Sequence, residues 1–137
     1  IEYTIDVLSD LSGNPLVSIP RIRLQTKAGI STKGRIIKDK TIENICRDTA
    51  KFLKIIGPCC IQLKESEDGE LKMIEINPRM GGGTIFATLA GINFPSLIID
   101  MVKNKSIKIP DFSEITVLRY YEEIVIQQNN NNNYNNR

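Results

Sequence analysis

Two runs of alternating apolar and polar residues, Cys59 to Glu65 and Glu70 to Ile76, flank Glu67-Asp68-Gly69-Glu70. Asp-Gly between alternating segments is a strong two-residue hairpin signal, and a hairpin fixes which residues of its strands meet. With Asp68 and Gly69 as the turn, Glu67 pairs with Glu70. Counting outward sets Gln62 opposite Glu75, Ile61 opposite Ile76 and Leu63 opposite Ile74. Successive strand side chains point to opposite faces, so Ile74 and Ile76 take the core face while Glu75 and Asn77 share the other. Directly opposed side chains have Cβ atoms roughly 5 Å apart, close enough for two of them to share one ion. The pattern yields a three-ligand oxygen cluster, Gln62, Glu75 and Asn77, suited to a hard cation. Arg79, just past Pro78, adds a group that pairs with phosphate.

A polar strand face is more often simply solvated. The segment after the hairpin argues for function: Asn77-Pro78-Arg79-Met80 runs into Gly81-Gly82-Gly83 and an apolar segment. A solvent-facing hairpin requires neither that arginine nor three consecutive glycines. Glycines let a backbone approach a ligand closely, and N–H groups near a helix start can bind an anion.

Glu75-Ile76-Asn77-Pro78-Arg79 resembles the signature near the end of the ATP-grasp fold, and the resemblance is nearest to the carbamoyl-phosphate-synthase-like branch. In that family a Glu-x-Asn pair holds Mg²⁺ under the ATP phosphates. The resemblance therefore implies Gln62, Glu75 and Asn77 as metal ligands, with Gln62 and Glu75 also at the nucleotide. It implies Arg79 as the catalytic residue that stabilises the transferred phosphoryl group, and Glu2 as the nucleotide-binding glutamate at the ribose. The implied cofactors are ATP and Mg²⁺, or Mn²⁺ in its place. Gly13-Asn14-Pro15-Leu16-Val17 and Gly29-Ile30-Ser31-Thr32 keep the family's order, so the likeness spans about residues 1 to 103. Carbamoyl phosphate synthetases carry a histidine near the position of Ser31, and this chain has no histidine. That departure counts against bicarbonate as the phosphorylated group. The implied activity is an ADP-forming carboxylate–amine (or related) ligation through an acyl phosphate, with a small carboxylate as substrate. The alternative is a nucleotide-binding domain of the same fold without catalysis. The family's nucleotide-covering lysines and glycine-rich loop lie upstream of any residue present. The chain therefore reads as the second half of an ATP-binding unit, with N-terminal domains of the same protein as its partner, and inactive when isolated.

Composition excludes several other classes. At 137 residues, with 41% hydrophobic and 25% charged content, the chain is ordinary globular material. A net charge of +2 without a basic run interleaved with aromatics gives no nucleic-acid signature. No stretch approaches the roughly 20 apolar residues of a membrane span, and a cytoplasmic location is expected. Cys46, Cys59 and Cys60 show neither a disulfide framework nor Cys-x-x-Cys spacing. Cys46 reads as core; of the adjacent pair, one points inward and the other toward the proposed site.

Strand patterns cover Tyr3 to Leu8, Leu16 to Gln25 (broken or bulged at Pro20) and Arg35 to Lys38. Thr41 to Ile56 reads as a helix capped by Thr41, with Ile42, Ile45, Cys46, Thr49, Phe52, Leu53 and Ile56 on its apolar face and Gly57-Pro58 as its stop. Shorter helices are expected over Thr84 to Ala90 and Pro95 to Val102, and a last strand over Ile115 to Ile126. Hairpins around one main helix predict an α+β domain on an antiparallel sheet with flanking helices, the C-terminal part of an ATP-grasp fold, over residues 1–126. Residues 127–137 are a low-complexity, Asn-rich tail. Arg21, Arg23 and Lys27 alternate along one strand and predict a basic face, either toward the site or into solvent, with Lys33 a weaker candidate of the same kind.

Overall fold

The computed structural model describes residues 1–120 and 122–126; the Asn-rich tail lies outside them. The hairpin-rich pattern becomes a single six-stranded sheet in the order β5-β4-β1-β2-β3-β6, antiparallel at every pairing. The strands are β1 (Glu2–Ser9), β2 (Pro15–Lys27), β3 (Ile30–Ile36), β4 (Gly57–Glu65), β5 (Leu71–Asn77) and β6 (Thr116–Leu118). Three helices accompany them among the described residues: α1 (Lys40–Phe52), α2 (Ile85–Leu89) and α3 (Phe94–Val102). The α+β expectation holds.

Alternation along the central strands divides the core in two. Tyr3, Ile5 and Val7 of β1 and Cys59, Ile61 and Leu63 of β4 pack against Ile42, Cys46 and Ala50 of α1. The opposite face carries a second cluster in which Leu8, Val17, Ile19 and Ile36 meet Phe86, Ala87 and Phe94. That cluster covers only one end of the face. Toward the other end the same strands present the polar residues Glu2, Thr4, Arg21, Arg23 and Gln62, and this polar half is where a site can form.

Several boundaries differ from the sequence expectation, each for a local reason. Helix α1 starts earlier because Asp39, not Thr41, is the cap: its carboxylate accepts from the Ile42 N–H at 3.0 Å. It ends at Phe52, and Gly57-Pro58 opens β4 instead of stopping the helix. Its buried apolar stripe is Ile42, Cys46 and Ala50, one residue per turn, whereas Ile45, Phe52, Leu53 and Ile56 are exposed. Pro20 sits unbulged in β2; Ile37 N–H donates to its carbonyl where β3 ends, so the missing N–H faces no further ladder. The irregularities of β2 lie instead at Leu16, opposite the Leu8–Ser9 step of β1, and between Arg23 and Thr26. β3 begins at Ile30, well before Arg35, and β6 spans only three residues of the longer strand expected there.

The β4–β5 hairpin is the most instructive difference. Gly69 N–H donates to the Ser66 carbonyl and Ser66 N–H to the Glu70 carbonyl, with Gly69 at φ +82°. This is a three-residue loop closed by a left-handed glycine, one residue longer than the Asp-Gly turn alone. Glu65 consequently faces Leu71, and Leu63 faces Met73 rather than Ile74. A bulge then takes up Ile74 as an extra residue, and Gln62 faces Glu75, Ile61 faces Ile76 and Cys60 faces Asn77. Turn and bulge each shift the register by one, in opposite senses.

Candidate active site

Because the two shifts cancel, Gln62, Glu75 and Asn77 reach the same face and touch. Gln62 Nε2 donates to Glu75 Oε1 at 2.6 Å, and Asn77 Nδ2 donates to the same oxygen at 2.9 Å. They line a cavity of about 260 Å³ together with Arg23, Arg79 and Gly82. Arg79 is exposed, donates to the Met80 carbonyl at 3.1 Å and forms no ion pair among the described residues. Four of the five expected site residues thus share one cavity. Glu2 stands beside it, paired with Arg23 at 3.5 Å and Lys64 at 3.8 Å.

The donor chemistry suits a hard cation. As arranged, two amide N–H groups occupy one Glu75 oxygen; with each amide turned over, three oxygens would converge there as a donor set for a hard cation. The cluster holds a single acid, and no group of three or more His, Cys, Asp or Glu side chains with metal-binding geometry occurs among the described residues. Further oxygens would have to come from a ligand.

The glycine segment serves the site by letting it close onto the sheet. Arg21 is 2% exposed. Its guanidinium pairs with Asp6 at 3.3 Å, lies over the Phe86 ring at 5.1 Å and donates to the Gly83 carbonyl. Thr84 Oγ1 donates to the other oxygen of Asp6 at 2.7 Å and accepts from the Gly81 N–H at 3.0 Å. A Cβ at Gly83 would collide with the Arg21 guanidinium, and one at Gly81 would come within 3.0 Å of Cys60 Sγ. Burial pushes the Asp6 carboxyl above its ordinary value, against the pull of Arg21 and the Thr84 hydroxyl. Burial likewise lowers Arg21, with Asp6 opposing. The same burial pushes the Cys60 thiol up to about 12, so the cysteine facing the site is protonated and unreactive.

The basic strand face separates into individual roles. Arg21 is consumed by Asp6 and the glycine loop. Arg23 is half-wrapped by Gln62, Gly29 and Glu2. Lys27 and Lys33 are not among the cavity-lining residues: the irregularities after Arg23 break the alternation before Lys27, and Lys33 adjoins Gly34, the partner of Arg23, and so takes the opposite face. Three contributors were not singled out from sequence. Asp6 and Thr84 lie 78 positions apart, and only Asp6 carried a local signal, an acid on the same strand face as Glu2. Arg119 stacks on Phe86 at 4.8 Å and donates to the Gly82 carbonyl at 2.6 Å; nothing in its neighbourhood marks it.

Known proteins share this architecture. The biotin carboxylase domain of a thermophilic 2-oxoglutarate carboxylase, bound to bicarbonate, superposes with a TM-score of 0.65 at 14% identity, over 80% of this chain and 26% of that one. Rhizobium etli pyruvate carboxylase gives 0.64 at 18% identity, over 80% and 12%. The phosphoribosylaminoimidazole carboxylase ATPase subunit from Aquifex aeolicus gives 0.61 at 18% identity, over 77% and 33%. The chain spans about a quarter of the first of these domains. No curated protein sequence matches it. No helix among the described residues is long and apolar enough to cross a membrane. The family model described as "ATP-grasp in the biosynthetic pathway with Ter operon" matches residues 1–124, in accord with the signature at Glu75–Arg79 and with the fold: the chain belongs to this ATP-grasp family.

Proposed function

We propose that this chain supplies the metal and phosphate half of the active site of an ADP-forming, carbamoyl-phosphate-synthase-like carboxylate–amine ligase. The observation that carries the reading is the convergence of Gln62 and Asn77 on Glu75 within a cavity that also holds Arg79. Gln62, Glu75 and Asn77 would hold Mg²⁺ bound with ATP, and the ion would supply neutralisation of phosphate charge. Glu75 contributes the one formal charge of the cluster, and Gln62 and Asn77 contribute neutral oxygens, so the site favours a metal that arrives with nucleotide. Arg79, with no carboxylate of its own, is free to meet the charge that develops on the transferred phosphoryl group. The Gly81–Gly83 segment, bound through Arg21 and Thr84 to the sheet, fixes the cavity wall beside Arg79. Glu2 would reach the nucleotide ribose once it leaves Arg23 and Lys64. No side chain needs to form a covalent intermediate: the carboxylate substrate takes the γ-phosphoryl group from ATP, and the nucleophile then displaces phosphate from the acyl phosphate.

The test is ADP release by the protein that contains this chain, with Mg²⁺ and a panel of amino acids and small carboxylates. Carboxylate-dependent release that falls at least about a hundredfold in Glu75→Gln is expected, the scale of losing one transition-state electrostatic contact. Nucleotide binding without turnover across the panel would favour the non-catalytic alternative. The isolated 137-residue chain is expected to bind nucleotide weakly and to turn none over.

A further inference from the structure

The Gln62 amide is oriented from both sides. Its Oε1 accepts from Arg23 Nη1 at 3.0 Å, and its Nε2 donates to Glu75 at 2.6 Å. Guanidinium has no acceptor and carboxylate no donor, so neither neighbour tolerates the amide the other way round. In this orientation Gln62 turns an N–H, not an oxygen, toward the Glu75 oxygen where a cation would bind. Ligating a metal requires the amide to turn over, which would set Nε2 against Arg23, donor against donor. Arg23 cannot readily yield. Its Nη2 donates to the Gly29 carbonyl in the β2–β3 turn at 2.9 Å, its Nη1 lies 3.5 Å from Glu2, and the side chain is only 12% exposed.

Resting on the reading of Gln62, Glu75 and Asn77 as metal ligands, we propose that Arg23 is a positioning residue that holds Gln62 in its non-ligating orientation and so suppresses metal binding by the empty site. A plain charge effect would also weaken cation binding near an arginine, and the two separate in a double-mutant cycle. Mn²⁺ binding to the full chain, without nucleotide, is read by the loss of the free-ion electron paramagnetic resonance signal. The forms compared are wild type, Arg23→Met, Gln62→Ala and the double variant, each checked for an intact thermal transition. Arg23→Met should tighten Mn²⁺ binding about tenfold more in the wild-type background than in the Gln62→Ala background, the size of one charge-assisted hydrogen bond. Arg23→Gln, whose amide can face Gln62 either way round, should tighten it likewise and serves should Arg23→Met not fold. Equal effects in both backgrounds, or no tightening, would overturn the proposal and leave the metal site standing. Absence of Mn²⁺ binding in every form would overturn the positioning role, whereas the metal site itself stands or falls on the loss of carboxylate-dependent ADP release in Glu75→Gln.

Discussion

Glu75 is the residue on which the site turns, and its oxygen receives two amide donors because strand alternation and cross-strand pairing bring Asn77 and Gln62 to it. Those three were legible in the sequence, since a hairpin ties register to spacing. Arg79 was legible from its place after Pro78. The glycines were legible as a group but not in their purpose, because close approach depends on what lies across the gap. Gly83 packs on the Arg21 guanidinium, and the two are separated by 62 positions. Gly83→Ala should therefore destabilise the chain by about 2–3 kcal/mol, within the range for overpacking a filled interior, as measured by urea unfolding. An unchanged midpoint would show that the loop is not held against Arg21.

Elements were legible where local chemistry decides them and less so where a partner does. The β4–β5 pairing near the site matches the simple hairpin count only through two compensating shifts, a longer turn and a bulge at Ile74, neither of which the alternation displays. The buried face of α1 is narrower than its spacing suggests, since helical spacing ranks Ile45, Phe52 and Leu53 with Ile42 and only the sheet selects Ile42, Cys46 and Ala50. The β1–β2 connection is closed by Asp10, whose carboxylate accepts from the N–H groups of Ser12 and Asn14, each at 2.8 Å. Those bonds, with the backbone of Asn14 foremost, hold its carboxyl below the ordinary value of 3.8. A carboxyl lowered by folding adds stability that is present above the unfolded value and lost as pH falls through the folded one. Hydrogen exchange at Ser12 and Asn14 should accordingly rise relative to neighbouring amides below about pH 4, and in Asp10→Ala this extra pH dependence should vanish.

At the scale of the whole molecule, the buried Asp6–Arg21 pair joins β1 and β2 to the glycine loop and, through Thr84, to the start of α2. Breaking such a pair from one side strands a buried charge, whereas replacing both partners with apolar residues often costs little. Asp6→Ala should lose about 3–5 kcal/mol on that account, and Asp6→Leu with Arg21→Met clearly less, as read from unfolding midpoints; equal losses would mean that the pair is not a coupled unit. The sequence by itself determined the antiparallel sheet and the meeting of Gln62 and Asn77 at Glu75, because alternation, turn residues and cross-strand pairing are local rules that carry over a hairpin. Only the tertiary structure decided that Arg21 is structural while Arg23 reaches Gln62, that Asp6 and Thr84 meet, and that Arg119 braces Gly82. Those contacts join segments tens of positions apart, and they are set by which side chains fill the space between packed layers.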